Sequence, residues 1–345
     1  MPRMKRRKKL WIGLLIGVAV VVLSGYVGAV VTPEVTPAAT SSDKPQGQKL
    51  WTFGFVGDTQ LGGQVVSDIF ARMEAAGVEF ALHLGDMVDD AACDAEWDDL
   101  LLKAAQHRIR LMPVVGNHDR RVDYADRGEI RFRQYFPALP ETFYHFRHRG
   151  LNFLMLNSER SLLPGSEQAA FVRWQLAHHP GSTIVCLHRP VFTCGRRDLA
   201  NQYVRRFALH GALTESDAVA VLAGHHHYYD RTHALDGVTY VVSGGGSFKL
   251  HGEEQPDART AAFHAGRNHY GLVDVYEDRL EVRVRDVKDE QLDRFTLALK
   301  PTPHRLGSIR NRPGTELPPL AELPDYAVER LESFTAARRT LPRPW

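Results

Sequence analysis

The chain has little cysteine, no basic surplus beyond its first nine residues and no internal repeat, and each absence removes a class of function. Its three cysteines, Cys93, Cys186 and Cys194, include no CxxC pair, so a thiolate metal site has no support. Cys186 and Cys194 can pair in an oxidising compartment, or all three can be unreactive thiols; spacing alone does not choose. The formal net charge of +2 rests on Arg3, Lys5, Arg6, Arg7, Lys8 and Lys9; the remainder holds 37 basic against 41 acidic residues, net −4. A folded part without basic character speaks against nucleic-acid binding. Without a repeat, solenoid architectures fall away.

At 345 residues, 43% hydrophobic and 24% charged, the chain is long enough for one large domain or two small ones. The basic cluster precedes Leu10–Val31, which is 22 residues without a charge. That is close to the ~20 residues that span a bilayer as a helix. The basic flank should stay in the cytoplasm, and the chain beyond Val31 should lie outside it. The length favours an uncleaved anchor over a cleaved signal peptide, whose apolar core is shorter. Residues 32–49, rich in Pro, Ser and Thr, read as a flexible linker. Residues 300–345 hold eight of the nineteen prolines and read as an extension with one short helix at Asp325–Arg339.

Between these ends the pattern alternates. The runs "WTFGFVG", "FALHLGD", "IRLMPVVGN", "NFLMLNS", "TIVCLH" and "AVAVLAGH" suit buried strands. Helical patterns fall between several of them, at Ser67–Ala76, Asp94–His107, Ser166–His178 and Asp198–His210. The later runs "VTYVVSGGG", "YGLVDVYEDRLEVRVRDV" and "RFTLAL" read as hairpin strands. The expectation is an α/β chain with two sheets packed face to face, the second sheet more antiparallel and following the first.

Five strand-like runs end in polar residues: Asp58, Asp86, Asn117-His118-Asp119, His188 and His225-His226-His227. Ligands bind at the carboxyl ends of strands in open α/β sheets. A lone His is more often a packed residue than a ligand, but five successive strand ends form a set. Carboxylate, imidazole and amide oxygen are donors for divalent metals, and a carboxylate can serve two ions. Side chains at i and i+2 of a strand share a side. Asp58 and Gln60 can therefore converge, as can His225 and His227, while His226 points away.

The ordered set "DTQ", "GD" (Gly85-Asp86), "GNHD" (Gly116–Asp119), "LH" (Leu187-His188) and "GHHH" (Gly224–His227) resembles the calcineurin-like metallophosphoesterases over roughly residues 51–299. The family pattern has histidine where this chain has Gln60. "GHHHYYDR" and "YVVSGGG" look in part like the purple acid phosphatase branch, but Asp89 stands at that branch's tyrosine-ligand position, so no tyrosinate–iron colour is expected. The resemblance implies a four-layer α-β-β-α sandwich of two mixed sheets flanked by helices, with residues 50–299 as the catalytic domain.

It also implies two divalent cations, Mn, Fe or Zn. One is expected on Asp58, Asp86, His227 and Gln60, the second on Asp86, Asn117, His188 and His225. In such centres a hydroxide shared by the ions attacks phosphorus in line. His118 matches the position that protonates the leaving oxygen. Asp119 matches the residue that orients it; its other reading is a loop-capping carboxylate. Gln60 reads as a weak ligand or an amide donor, and an amide oxygen leans toward Mn²⁺ rather than Zn²⁺. The implied partners are a phosphoester substrate and, through the N-terminal segment, a membrane. The competing reading is a non-catalytic or single-metal phospho-ligand binder with a degenerate first site.

Arg120, Arg121 and Arg189 can clamp phosphate oxygens or form structural ion pairs. "GGGSF" at residues 244–248 can line the rim or form a tight loop. The acidic stretch "DMVDDAACDAEWDD" reads as a solvated helix start.

Overall fold

A computed structural model describes residues 35–36, 47–120, 127–196, 199–252 and 254–300. The apolar run Leu10–Val31, most of the linker, Arg121 and the extension with its expected helix lie outside the described residues.

After β1 (Val35–Thr36), the chain forms β2 (Trp51–Val56), α1 (Gln64–Ala75), β3 (Ala81–His83), α2 (Asp94–Gln106), β4 (Leu111–Pro113) and α3 (Arg127–Tyr135). Next come β5 (Tyr144–His148), β6 (Leu151–Met155), α4 (Glu167–His178), β7 (Thr183–Leu187), α5 (Leu199–Arg205), a π-helical stretch (Arg206–His210) and α6 (Gly211–Thr214). The remainder is strand: β8 (Ala218–Ala223), β9 (Tyr229–Thr232), β10 (Ala234–Leu235), β11 (Thr239–Ser243), β12 (Thr260–His264), β13 (His269–Val275), β14 (Arg279–Asp286) and β15 (Gln291–Ala298).

Two mixed sheets result. One runs β15-β14-β13-β2-β3-β4 and the other β12-β9-β11-β8-β7-β6-β5. In the first, β2, β3 and β4 are parallel; in the second, β6, β7, β8 and β11 are parallel. The strands divide between the sheets differently from the expectation. The late hairpin strands do not build a sheet of their own. β13 pairs antiparallel with β2 and extends the first sheet, whereas β11 lies parallel to β8 in the second. Local patterning identifies strands, but it does not say which distant edge accepts them.

The sheets meet through aromatic rings. Phe53 of β2 stands edge-on to Phe153 of β6 with centroids 5.4 Å apart, and Phe80 meets Phe146 of β5 at 5.7 Å. α1 and α2 belong to the same buried core through Val66, Ile69, Phe70, Met73, Trp97 and Leu100. A second core of Leu154, Val172, Val185, Leu187, Leu209, Leu213 and Val221 joins α4, the π-helical stretch and α6 to β6, β7 and β8. Strands β2 and β6 are buried along their whole length, as sheets covered on both faces require.

Candidate active site

The parallel strands of both sheets end at one place. Asp58 follows β2, Asp86 follows β3 and Asn117 follows β4; His188 follows β7, and His225 and His227 follow β8. The loops are stitched together by their backbones: the Asp58 N–H donates to Gly85 O at 2.9 Å, Gln60 N–H to Asp86 O at 3.2 Å and Gly224 N–H to His188 O at 2.9 Å. Asp58, Asp86 and His225 all hold positive φ, at 58°, 53° and 70°. Such strained backbone persists only where its surroundings over-determine it, as at functional sites. Two motif glycines explain the close approach. A Cβ on Gly116 would lie 2.2 Å from Asp86 N, and one on Gly85 would lie 2.7 Å from the His188 ring.

Two clusters form. Asp86, His188 and His225 bring donor atoms within 4.8 Å of one another, and so do Asp58, Asp86 and His227. Asp86 belongs to both. Its Oδ2 lies 3.2 Å from His188 Nε2 and 3.5 Å from Gln60 Nε2. His227 Nε2 lies 3.3 Å from Asp58 Oδ1 and 3.4 Å from Gln60 Nε2. Asn117 Oδ1 lies 3.2 Å from His188 Nε2. The Asp58 carboxylate accepts the His225 N–H at 2.9 Å and so ties the sheets together. His226 sits apart, buried with its ring 5.3 Å from Tyr228.

Electrostatics fit a cation-binding pair of clusters. Burial opposes charge on Asp86, but His188 beside it and the His118 N–H hold it below the usual carboxylate range. Burial likewise opposes charge on His188, and Asp86 outweighs it, lifting the ring to about 9. Burial, with His188 and Arg189 nearby, pushes His225 down. The outer ring nitrogens are held by carbonyls: His188 Nδ1–H donates to Leu84 O at 2.9 Å and His227 Nδ1–H to Lys249 O. In each neutral ring this places the proton on Nδ1 and turns Nε2 toward the carboxylates, so Nε2 can ligate a metal ion once its own proton has left.

Gln60 passes the same test. Its Oε1 is buried without a partner, while its NH₂ faces the cluster. The amide's O and N exchange by a flip that ordinary geometry barely distinguishes. The flip places an acceptor oxygen among Asp86 and His227 at ligand-to-ligand spacing.

His118 is partly exposed, and its hydrogen bond goes to Asp89 and not to the expected Asp119. The Asp119 carboxylate is fully buried and accepts from the backbone N–H of Asp86, Met87, Val88 and Gly116 at 3.0, 2.8, 3.3 and 2.8 Å. Burial and the nearby Asp86 push it up to about 7, against the pull of those amides. It caps the loops that carry Asp86 and Asn117. The partner of His118 is Asp89, whose carbonyl oxygen lies 2.9 Å and whose carboxylate lies 3.2 Å from His118 Nδ1. Glu96 accepts the Asp89 N–H at 2.6 Å and fixes that residue in turn.

Three further contacts leave no local signal in the sequence. Glu159 holds Arg189 through Nε at 2.6 Å, and Arg189 Nη1 donates to His225 Nε2 at 3.0 Å. His251 stacks on His227 at 4.5 Å and accepts its backbone N–H. Arg120 donates to the carbonyl of Glu159 and pairs with Glu129, so Arg120 and Arg189 both serve ion pairs. The glycine run packs inside: Gly246 N–H donates to Gly57 O, and Ser247 Oγ donates to Gln60 O. All three cysteines are free thiols.

The calcineurin-like phosphoesterase family profile matches residues 52–229, a span that contains every residue of both clusters. The chain belongs to the calcineurin-like phosphoesterase family. Among curated proteins it is 22% identical over 251 residues to an onion (Allium cepa) phosphoenolpyruvate phosphatase, covering 66% of this chain and 51% of that protein. It is 25% identical over 260 residues to an uncharacterized Mycobacterium tuberculosis protein, covering 61% and 49%. The chain thus spans about half the length of the curated relatives it matches.

Solved structures share the fold. A purple acid phosphatase from yellow lupin (Lupinus luteus) seeds aligns with TM-score 0.63 at 17% identity, over 73% of this chain and 54% of that one. A dimetal phosphatase from Danio rerio aligns at 0.53 and 16%, over 73% and 99%. The Plasmodium protein described as the anchor in the inner membrane complex aligns at 0.59 and 14%, over 76% and 94%. Among the described residues no helix is long and apolar enough to cross a membrane.

Proposed function

We propose that this chain hydrolyses phosphate esters at a centre that takes two divalent cations. The observation that carries the reading is Asp86, one buried carboxylate common to both clusters of donors. Asp58, Asp86, His227 and Gln60 would hold one ion; Asp86, Asn117, His188 and His225 would hold the other. When bound, such a pair supplies positive charge against the phosphoryl oxygens and acidifies an attacking water.

The chain's own residues supply the rest. A carbonyl oxygen only accepts, so the contact with Asp89 O puts a proton on His118 Nδ1. A proton on Nε2 as well makes the ring an imidazolium, and the Asp89 carboxylate at 3.2 Å gives that cation its partner. His118 in that state donates from Nε2 to the leaving oxygen, worth roughly 10²–10⁴-fold in rate. Asp119 holds the backbone that presents both Asp86 and Asn117.

One observation favours the competing single-metal or non-catalytic reading. Arg189 donates into His225 Nε2, which loads one member of the second cluster with a cationic neighbour. The two readings separate in one experiment. Phosphomonoesters and phosphodiesters are assayed with Mn²⁺, Zn²⁺, Fe²⁺ and Ni²⁺ in turn while bound metal is counted. The proposal expects turnover with two ions bound; phosphate-ester binding without turnover under every metal contradicts it.

The apolar run Leu10–Val31 after six basic residues supports a catalytic domain held on the outer side of a membrane. A reporter fused after Gln48 should then be active only outside the cytoplasm.

A further inference from the structure

The turn after Asp58 holds a leucine where its backbone suits a smaller residue. Gly62 N–H donates to Thr59 O at 3.0 Å and closes a turn with Gln60 and Leu61 at its centre. Leu61 has φ 58°. A turn with a left-handed third residue ordinarily takes glycine or asparagine there, and a bulky side chain in that region is strained. Burial does not compensate, because Leu61 is 46% exposed. The turn abuts the glycine run: a Cβ on Gly62 would lie 2.3 Å from Gly246 O.

The facing segment presents a second apolar residue. Phe248 is 59% exposed, yet the loop that carries it is fixed on both sides. Ser247 Oγ donates to Gln60 O at 3.3 Å, and Lys249 O accepts the His227 Nδ1–H. Asn268 Nδ2 donates to Gly245 O at 2.9 Å and to Ser247 O at 2.6 Å. Leu61 therefore adjoins Gln60 in the chain, and Phe248 stands between the residue bonded to Gln60 and the residue bonded to His227. Each is one position, about 3.8 Å of backbone, from a residue that belongs to the Asp58 cluster or is bonded to it.

Scattered exposed apolar residues are ordinary. These two are set apart by a strained backbone, a pinned loop and their place beside the donor cluster. The chemistry around them points to what covers them. Residues 60–64 and 244–252 contain no acid, so neither segment repels an anionic ester. Their neutral polar side chains are engaged: Ser247 holds Gln60 O, and Gln64 Nε2 donates to Asp68 at 2.9 Å. The Lys249 ammonium lies 5.9 Å from the Phe248 ring. A hydroxyl-rich organic group would find few partners here, whereas an apolar one would take Leu61 and Phe248 out of water.

We propose that Leu61 and Phe248 form an apolar rim that selects phosphate esters with an apolar organic group, an alkyl chain or an aromatic ring. This rests on the phosphoester reading of the two clusters and adds the substrate class to it. Each methylene buried on the rim is worth up to about fourfold in affinity.

The test reads binding and turnover separately. The Mn²⁺-loaded protein is titrated calorimetrically with ethyl-, hexyl- and phenylphosphonate, which are not hydrolysed, and is assayed on ethyl and hexyl phosphate, whose leaving alcohols are equally poor. Hexyl- and phenylphosphonate should each bind at least about tenfold tighter than ethylphosphonate, the tighter of the two showing whether chain or ring fits better. The hexyl-to-ethyl ratio of kcat/KM should rise in parallel. Leu61→Gly and Phe248→Ser should each bring both ratios down toward one. Glycine takes the left-handed backbone without strain, so Leu61→Gly keeps the fold, which its melting temperature checks. Ratios near one in the unchanged protein overturn the proposal, as do ratios that both variants retain. Phosphonate binding with the expected preference but no turnover under any metal contradicts ester hydrolysis and leaves the rim standing. No phosphonate binding at all overturns both.

Discussion

His118 takes its hydrogen-bond partner from another loop, not from its neighbour in sequence. Its Nδ1 meets the carbonyl and the carboxylate of Asp89 at 2.9 and 3.2 Å, while Asp119 turns away to bind four backbone N–H groups. The two acids therefore fail differently when changed. Asp89→Asn keeps the carbonyl contact and removes the charge. It should lower kcat roughly tenfold with KM nearly unchanged, less than the ~10²–10⁴-fold expected for His118→Ala. In the double variant the Asp89 change should add little. A KM rise with intact kcat would place Asp89 in substrate binding instead.

Asp119→Asn is a stability variant. An amide turns its NH₂ toward donors that need an acceptor, and each buried N–H left unsatisfied costs about 1–3 kcal/mol. Thermal unfolding should shift down markedly, with metal affinity falling alongside because Asp86 and Asn117 lose their support. An unchanged melting temperature with lost activity would return Asp119 to a direct catalytic role.

Gln60 should set the behaviour of the Asp58 cluster. Its unpartnered Oε1 and its position near Asp86 and His227 predict a weaker, oxygen-preferring site. The purified protein should hold less than two equivalents of metal and gain activity on addition of Mn²⁺. Gln60→His should tighten that site and shift preference toward Zn²⁺; Gln60→Ala should loosen it. Metal titrations that coincide for all three proteins would make Gln60 a bystander.

Much of this site was legible because its residues follow strand ends at short, ordered spacings. Asp58, Asp86, Asn117, His188, His225 and His227 all follow strand ends, but the i, i+2 rule does not carry over: Asp58 and His225 lie past their strands with positive φ, and His225 and His227 fall in different clusters. What sequence could not supply is long-range. Glu159 reaches Arg189 across 30 positions and His251 stacks on His227 across a loop, and no local pattern marks either. Asp89 was visible as an acid three residues after Asp86, but it lies in an acidic stretch that reads equally as a solvated helix start. The same limit governs the sheets: the β13–β15 hairpins are plain in the alternating pattern, whereas their attachment to β2, more than 200 residues earlier, depends on which edge is open.

Buried neutral histidines predict acid lability. Burial lowers His83 to about 3 and His269 to about 4. His269 Nδ1–H donates to Arg267 O, and its Nε2 is buried with no partner, so a second proton would be an unpaired charge in the core. The unfolded ring titrates near 6.5. With the folded value depressed, the unfolded state binds more protons in between, so stability is full above pH 6.5 and falls toward pH 4. Melting temperature against pH should decline through that window, and His269→Gln should flatten the decline. An equally steep profile in the variant would assign the loss to other groups.

The central claim is that one carboxylate serves two cations, and metal counting on Asp86→Asn beside the unchanged protein tests it most directly. With Mn²⁺ in excess, the unchanged protein should bind two equivalents and turn over phosphoesters. Asp86→Asn should lose at least one equivalent and nearly all turnover, while His226→Ala, outside both clusters, keeps two and stays active. Two equivalents retained with substantial turnover in Asp86→Asn, or greater damage from His226→Ala, would contradict the account.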